Sequence, residues 1–287
     1  MSGVGVRGRG ARFRSSLMGY GGLLPFVFFA LFPFYFMIIT SLKSNAELYN
    51  LKSIPFWVQS GVITSHYSYL FQRTDFLIWL KNSLIISVVA TSASLVISIL
   101  AGYSLARLRF PGVGSFGTAV FITYLVPPTL LFLPLSQVVV WLGLADSIWA
   151  LIVTYPTFLV PFCTWLLMGY FRTVPREVEE CALVDGASRF QTLTRIVLPM
   201  AVPGIVCAAL FSFTLTWNEF IYALTFVSQT AQKTAVVGVT ADLIRGDIYY
   251  WGSLMAGAVV ASLPIVVIYV WFLDYYVSGL TAGAVKG

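Results

Sequence analysis

The chain has 287 residues, of which 59% are hydrophobic and only 10% are charged, and its formal net charge is +6. An average soluble domain carries about 25% charged residues, so this composition excludes a single water-soluble core and indicates a chain that lies mostly in lipid. The basic residues cluster beside apolar segments, which favours membrane topology over nucleic-acid binding as the reason for the positive charge.

Six long stretches without charged residues follow one another along the chain. A helix needs about 20 apolar residues to cross the hydrocarbon core, so each stretch is long enough for one span and too short for two. The sequence therefore predicts an all-α integral membrane protein with six transmembrane helices. The stretches lie between Arg14 and Lys43, Lys81 and Arg107, Arg109 and Asp146, Asp146 and Arg172, Arg195 and Glu219, and Asp247 and Asp274.

The third stretch contains Pro127, Pro128 and Pro134, and proline removes a backbone donor and kinks a helix. In lipid such a break survives only where protein or water satisfies the freed carbonyl groups. We therefore expect a kinked helix inside the bundle. The kink either lies beside the transport pathway or is purely structural.

The distribution of Lys and Arg predicts the orientation of the spans. Eleven of these residues lie in the two terminal segments, the second loop and the fourth loop, and six lie in the remaining loops. Cytoplasmic segments carry the excess of Lys and Arg, so both termini are expected in the cytoplasm. The predicted organisation is a cytoplasmic tail over residues 1–16, a six-helix domain over 17–278 and a second tail over 279–287. The first apolar run is expected to be a retained helix, since it is too long for a cleaved signal peptide.

Metal chemistry is not expected, because the three cysteines are far apart in sequence and the only histidine is His66. The predicted spans carry no charge at their centres, whereas an ion-coupled carrier usually needs a buried carboxylate. Glu219 and Asp274 lie near span ends, which makes them poor candidates for that role. A membrane enzyme is also disfavoured, because no paired carboxylates or nucleophile–base arrangement occurs in the spans.

The most charged part of the chain is the loop over residues 172–203, and its pattern predicts a helix, a turn and a second helix. Pro175 suits the first turn of the first helix, and Asp185-Gly186 breaks it. Val178, Cys181 and Ala182 have the spacing of an apolar helical stripe. Ser188 can cap the second helix, which is expected to run toward Ile196 and to stop near Pro199.

This loop also carries a motif: E-A-A, three residues, G, nine residues and I-x-L-P. Seven residues of this chain stand at its positions: Glu180, Cys181, Ala182, Gly186, Ile196, Leu198 and Pro199. The sequence therefore resembles the membrane subunits of binding-protein-dependent ABC importers, with Cys181 at a position where alanine is usual. The resemblance implies the type I importer (MetI-like) permease fold.

In that family the first helix of the loop is the coupling helix, which docks into a cleft on a cytoplasmic ATPase and transmits its movement. The resemblance therefore implies docking residues, and the alternative is an amphipathic helix that lies on the membrane surface. The implied docking residues are Glu179, Glu180, Cys181, Ala182, Asp185, Gly186, Ala187, Ile196, Leu198 and Pro199.

Other segments are similar to the carbohydrate branch of the family, which includes the smaller permease of the maltose system. They include Trp217-Asn218-Glu219-Phe220 and the glycine-rich residues 279–287. This branch implies a sugar or polyol as the solute. It also implies three kinds of partner: an ATPase dimer that uses ATP and Mg, a second permease subunit that forms a heterodimer with this chain, and an extracytoplasmic solute-binding protein. No cofactor is expected on this chain, which has nothing that resembles a nucleotide-binding domain and should not hydrolyse ATP by itself.

Four residues are candidates for the solute pathway by type and position: Tyr124, Gln137, Trp217 and Asn218. Each has a competing interpretation as a helix-packing residue or as part of an interfacial aromatic belt, and that interpretation is favoured. Two broader alternatives stay open at this point. The solute is a glycerol-phosphate ester or another nutrient instead of a sugar, or the chain is a secondary transporter.

Overall fold

The computed structural model describes the backbone of residues 9–282 and the side chains of residues 20–279. This part of the chain is almost entirely helical. The helices are α1 (Arg9–Leu42), α2 (Asn45–Leu48), α3 (Ser65–Arg73), α4 (Phe76–Arg107), α5 (Val113–Leu125), α6 (Pro128–Trp141), α7 (Ile148–Thr154), α8 (Pro156–Phe171), α9 (Arg176–Val184), α10 (Arg189–Thr192), a π-helical turn (Leu193–Val197), α11 (Leu198–Met200), α12 (Val202–Trp217), α13 (Ile221–Phe226), a 3-10 turn (Thr230–Gln232), α14 (Ala235–Leu243), α15 (Trp251–Trp271) and α16 (Leu273–Ala282). Two two-residue strands, Ile244–Arg245 and Ile248–Tyr249, precede α15.

Four helical segments are long and apolar enough to cross a membrane: Tyr20–Leu42, Phe76–Arg107, Ile148–Phe171 and Trp251–Trp271. Two further pairs qualify only if each bent pair counts as one span. α5 and α6 meet at 95°, and the helical segment Arg189–Met200 meets α12 at 78°. The structure therefore contains four to six candidate spans. Each of the six charge-free stretches holds at least one of these helices.

The break between α5 and α6 falls at Pro127 and Pro128, where the kink was expected. Pro127 immediately precedes α6, and Pro128 occupies its first turn, where a missing N–H costs nothing. Pro134 lies inside α6 without ending it. The carbonyl oxygen of Pro128 accepts a hydrogen bond from the Tyr222 hydroxyl at 3.0 Å. A protein side chain thus satisfies a backbone group near the break, as an apolar environment requires.

The described residues form two compact units, and the first consists of residues up to Arg73 together with 246–260. Its loop after α1 is organised around a buried ion pair, with Nζ of Lys43 3.2 Å from Oε1 of Glu47. The Glu47 carboxylate also accepts hydrogen bonds from the backbone N–H groups of Gln59 and Ser60 at 3.0 Å and from the Ser60 hydroxyl at 2.6 Å. The Ser60 hydroxyl, helped by the two N–H groups and Lys43, lowers the pKa of Glu47 from 4.5 to about 2.

The second unit contains residues 74–245 and those from Ala261 onward. One of its apolar cores is formed by the middle of α4 with α7, α13 and α14, and includes Ile86, Leu151, Tyr155, Tyr222 and Phe226. The other joins the C-terminal end of α4 to α8 and to the loop that follows α8, and includes Tyr103, Leu167, Phe171, Leu193 and Val197. Helices α4 and α8 pack against each other along much of their length.

Polar side chains in α4 hold the segment before α14. Asn82 donates to the carbonyl oxygens of Ala231 and Lys233 at 2.9 and 3.0 Å, and the Ser83 hydroxyl accepts from the N–H of Ala235 at 2.8 Å. The helix α4 begins at Phe76, so Asn82 and Ser83 lie well inside it. Lys81, which bounds the second charge-free stretch, also lies inside α4.

A second carboxylate fixes the loop between α6 and α7. Asp146 has a positive φ of 58°, and its Oδ1 accepts from the backbone N–H groups of Ser228 and Gln229 at 2.6 and 3.3 Å. These bonds favour the ionised form and lower the pKa of Asp146, with the Ser228 N–H as the main cause. Asp146 thus connects the loop before α7 to the segment that follows α13.

Candidate functional site

The predicted helix–turn–helix is present at α9, the turn after it and α10. α9 spans Arg176–Val184, directly after Pro175, and Glu177 and Glu179 lie in its first turn, where negative charge is favoured. Its inward face differs from the predicted apolar stripe. Ala182 is buried as expected, but Val178 and Cys181 are exposed, and the other buried residue of the helix is Glu179.

Glu179 is buried because α4 supplies its partners. Its Oε1 lies 2.7 Å from Nε of Arg107, with both side chains at least nine-tenths buried. Its Oε2 accepts a hydrogen bond from the hydroxyl of Tyr103 at 3.1 Å. Arg107 also donates to the carbonyl oxygen of Val174, just before α9. An acidic residue at the start of the loop helix is therefore tied to the end of a spanning helix.

The turn after α9 depends on Gly186, which has a φ of +87°. The N–H of Gly186 donates to the carbonyl oxygen of Leu183 at 3.2 Å, and the N–H of Ala187 donates to that of Ala182 at 3.0 Å. This pair of bonds is the Schellman arrangement that ends a helix with a left-handed residue. A Cβ at Gly186 would meet no atom within 4 Å, so the need for glycine comes from the backbone angle alone.

The second helical segment begins with the predicted cap. The Ser188 hydroxyl accepts from the N–H of Gln191 at 3.2 Å, and the Gln191 side chain accepts from the N–H of Ser188 at 2.8 Å, which makes a capping box. The segment then ends close to the predicted stop, at Met200, one residue after Pro199. Before that point it passes through a π-helical turn and α11, and the bend comes at Ala201.

Pro199 is the second residue of α11 and lies within the last turn of the segment, which ends at Met200. Val197, between Ile196 and Leu198, is fully buried in the core that joins α4 and α8, and Leu198 packs against that core. Pro199 itself is exposed. The I-x-L-P part of the motif therefore anchors the loop to the membrane helices, while its E-A-A and glycine part forms the tip.

The tip presents apolar and acidic side chains to solvent. Val184 is 87% exposed and Phe190 is 66% exposed, and Glu180, Cys181 and Asp185 are exposed as well. We call these five residues the coupling surface. Apolar side chains that are exposed in this way are available for contact with another protein. Val184 and Phe190 were absent from the sequence prediction, although an apolar residue beside a turn signal could have indicated them.

The proposed pathway residues do not share one environment. Tyr124 and Gln137 are exposed, and the Tyr124 ring lies 5.8 Å from that of Phe162. Trp217 is 2% exposed, and its Nε1 donates to the carbonyl oxygen of Ala261 at 3.1 Å. Asn218 is exposed and donates to the carbonyl oxygen of Thr214, on its own helix, at 2.9 Å. Trp217 therefore has the contacts of a packing residue, whereas the other three are exposed.

Glu219 has a structural role that the sequence did not reveal. Its carboxylate accepts from the N–H groups of Tyr222 and Ala223 at 2.8 and 3.0 Å, at the start of α13. The hydroxyl of the buried Tyr155 donates to its Oε2 at 2.9 Å. Three donors to one carboxylate make a satisfied cap rather than a free ion-binding group. Within the part of the chain that the structure describes, no group of three or more His, Cys, Asp or Glu side chains could hold a metal ion.

The fold and the loop together define a helical membrane component of a transporter, and the comparisons with known proteins agree. Residues 94–281 match the model of the family described as "Binding-protein-dependent transport system inner membrane component". That match covers more than half of the chain. The protein belongs to this family of inner-membrane permeases.

Several relatives are similar over nearly their full length. The chain is 36% identical over 270 residues to the inner membrane ABC transporter permease protein YcjP of Escherichia coli strain K12, with 93% of this chain and 95% of the relative covered. It is 34% identical over 268 residues to the trehalose/maltose transport system permease protein MalG of Thermococcus litoralis, with 93% and 95% covered.

The fold is also similar to a chain of a solved bacterial ABC transporter involved in the import of the acidic polysaccharide alginate. The TM-score is 0.76 and the identity is 20%, with 95% of this chain and all of that chain covered. A second alginate transporter structure, in complex with an alginate pentasaccharide-bound periplasmic protein, gives a TM-score of 0.65 at 17% identity, with 91% and 94% covered. At these identities the likeness shows the fold alone.

Proposed function

We propose that this chain is the permease subunit of an ATP-driven importer that carries a sugar or polyol inward by alternating access. The observation that supports it most directly is the arrangement of the loop over residues 172–203. Its coupling surface is exposed, and the Glu179–Arg107 pair fixes the base of the loop. An ATPase that moves this surface would also move the end of α4. Because this connection is rigid, a movement of the ATPase would shift the equilibrium of the membrane helices between their inward-open and outward-open conformations.

The proposed topology has six spans, with each bent pair of helices counted as one span. Residues 1–16 and 279–287 are the cytoplasmic tails, and residues 17–278 form the permease domain with its coupling loop over 172–203. The excess of Lys and Arg in the same segments supports this orientation. Residues 1–8 and 283–287 lie outside the described part of the chain.

The proposed partners are a cytoplasmic ATPase dimer, a second permease subunit in a heterodimer and an extracytoplasmic solute-binding protein. The coupling residues would be Glu179, Glu180, Cys181, Ala182, Asp185, Gly186, Ala187, Ile196, Leu198 and Pro199. ATP and Mg would be used by the ATPase, and this chain would bind no cofactor and catalyse no reaction itself. The name of the family, which specifies dependence on a binding protein, supports the third partner.

Relatives with carbohydrate solutes support the choice of solute. Beside the trehalose/maltose permease, they include the sulfoquinovosyl glycerol transport system permease protein SmoH of Agrobacterium fabrum, which is 34% identical over 258 residues, with 90% of this chain and 89% of the relative covered. Tyr124, Gln137, Trp217 and Asn218 stay candidates for solute contact, and the exposed residues among them are the better ones. A glycerol-phosphate ester is the alternative solute, and a secondary transporter is the alternative class.

The test is co-purification in mild detergent. Wild-type chain should bring down an ATPase and a second permease, and a Glu180→Ala, Gly186→Ala double variant should lose the ATPase while keeping the permease. A Val62→Glu variant is the matched control for surface changes, because Val62 is 66% exposed on the loop after α1. It should keep both partners. If the wild type purifies without an ATPase in several detergents, the importer assignment is wrong and a secondary transporter becomes the favoured interpretation.

A further inference from the structure

A basic pocket lies beside the base of the coupling loop. It has a volume of about 380 Å³ and is lined by the end of α4, the segment before α5, the end of α8 and the start of α9, including the arginines Arg107, Arg109, Arg172 and Arg176. Arg107 is already paired with Glu179. Arg109, Arg172 and Arg176 are exposed and have no carboxylate partner within ion-pair distance among the described residues. Three positive charges therefore converge without neutralisation.

An apolar groove of about 290 Å³ continues from this pocket. The two share Leu105, Val113 and Arg172. The groove runs along α5 between small residues on that helix and large apolar residues on α8. Its remaining lining residues are Gly114, Gly117, Thr118, Phe121, Trp165 and Met168.

The dimensions and the open space suit a chain-like apolar ligand. From Val113 to Phe121 the groove follows nine residues of helix, and the eight steps between them span about 12 Å at the usual rise. A Cβ placed on Gly114 or Gly117 would meet nothing within 4 Å. The two glycines therefore leave space beside α5, and they are not needed there for close helix packing.

We propose that the pocket and groove form a binding site for an anionic phospholipid, with the phosphate held by Arg109, Arg172 and Arg176 and one acyl chain lying along α5. Guanidinium groups bind phosphate oxygens through paired N–H donors, and basic pockets between membrane helices on the cytoplasmic side suit such headgroups. The positive end of the α5 helix dipole, at Val113, adds to the attraction. The site rests on the topology proposed above, which puts these arginines at the cytoplasmic leaflet.

The bound lipid would connect four elements that meet at the base of the coupling loop. Arg176 begins α9, three residues before Glu179, and Arg109 follows the α4 terminus that carries Arg107. Neutralising the cluster would remove the mutual repulsion of the three arginines, so the lipid would stabilise the anchored position of α9. Anionic lipid is thereby expected to support coupling to the ATPase without entering the transport pathway.

The experiment measures lipid binding to the delipidated full-length chain by native mass spectrometry. The probes are phosphatidylglycerol, phosphatidylcholine and inorganic phosphate. Phosphatidylglycerol should bind at least tenfold more tightly than phosphatidylcholine, and phosphate alone should not bind at the same concentrations. An Arg109→Gln, Arg172→Gln, Arg176→Gln variant should lose this preference. The Lys52→Gln, Arg73→Gln, Lys81→Gln variant removes the same charge from exposed positions elsewhere and should keep it.

A second pair of variants tests the groove. Gly117→Leu should fill it and weaken phosphatidylglycerol binding at least fivefold with the arginines intact. Gly22→Leu, at an equally open helical glycine of α1, should have no effect. Equal binding of the two lipids, equal losses in both charge variants, or tight binding of phosphate alone would each overturn the proposal. Because no ATPase or transport is measured, a negative result here is separate from failure of the importer assignment.

Discussion

Glu179 shows how one buried charge can define the position of a surface helix. Removing the charge by Glu179→Gln would leave Arg107 buried without a counter-ion, and breaking a buried pair in this way typically costs about 3–5 kcal/mol. We expect the variant to have a clearly lower melting temperature in detergent. We also expect its transport rate to fall at temperatures where the protein is still folded. Thermal unfolding followed by intrinsic fluorescence measures the first effect, and solute uptake per bound ATPase measures the second.

An exposed ion pair provides the control for Glu179→Gln. Arg245 and Asp242 lie 2.9 Å apart, with 55% and 29% of their side chains exposed, so Arg245→Gln should change stability by less than about 1 kcal/mol. An Arg107→Gln change added to Glu179→Gln should recover part of the loss, because neither charge then remains unpaired. A Glu179→Gln protein as stable as wild type would contradict the anchoring role.

Gly186 acts through backbone geometry instead of contacts. An alanine at φ +87° is strained by about 1–2 kcal/mol, enough to alter the turn between α9 and α10 without unfolding the protein. We expect Gly186→Ala to lower solute transport severalfold relative to ATP turnover in proteoliposomes. Gly61→Ala is the matched control, since Gly61 has a φ of +90° and equally open surroundings on the loop after α1. Equal transport-to-hydrolysis ratios in the two variants would refute the coupling role.

At the scale of elements, the loop after α1 depends on the ionised form of Glu47. Its folded pKa is about 2 and its ordinary value is 4.5. Since the folded value is the lower one, the stabilisation is fully present above pH 4.5 and is lost as the pH falls toward 2. Hydrogen exchange of the Ser60 amide, corrected for the intrinsic effect of pH, should show constant protection from pH 7 to about 5 and a decline below it.

The matching variant is Glu47→Gln, which should expose the Gln59 and Ser60 amides at neutral pH. Its effect should be local, because the donors and acceptors of the Glu47 network all lie within residues 43–60. Amides in the middle of α4 serve as the internal control and should stay protected. Unchanged protection of Ser60 in Glu47→Gln would mean that Lys43 alone holds the loop.

Across the whole molecule, the sequence predicted the apolar helices well and the polar contacts poorly. Long charge-free stretches depend only on local composition, so they locate the long apolar helices. The Pro127-Pro128 break is also local, since proline lacks a donor wherever it stands. Arg107, the ion-pair partner of Glu179, and Tyr155, the side-chain partner of Glu219, lie 72 and 64 residues away in the sequence, so no local pattern reveals them. Tyr103 and Arg107 are four residues apart on one face of α4, and this spacing is the one sequence feature that could have indicated a shared acidic partner.

The same limit applies to the site. The motif gave the position of the turn at Gly186 and of the cap at Ser188, because both are set by neighbouring residues. It did not show that Glu179 points inward while Cys181 points outward, since the loop helix has polar residues on both faces. The inward face is decided by the buried Tyr103 and Arg107 on α4.

The exposure of Cys181 allows orientation and docking to be tested together. Of the three cysteines, Cys163 and Cys207 are buried and Cys181 is exposed on the coupling surface. A membrane-impermeant maleimide should therefore label Cys181 in inside-out vesicles and leave right-side-out vesicles unlabelled. A Cys181→Ala, Lys52→Cys variant should show the reverse pattern. Labelling of wild-type chain in intact right-side-out vesicles would place the loop on the wrong side and contradict the topology.

Protection by the ATPase completes this test. Because the coupling surface would be covered in the assembled importer, adding the co-purified ATPase to stripped inside-out vesicles should slow Cys181 labelling at least tenfold. An Arg195→Cys change in the Cys181→Ala background offers an exposed comparison on the π-helical turn beyond the tip, and its labelling should slow less. Equal protection at both positions would mean that the ATPase covers the whole loop, and no protection at Cys181 would place the docking surface elsewhere. Only the graded result fits a helix tip seated in a cleft, because in that arrangement contact decreases from the tip toward the membrane.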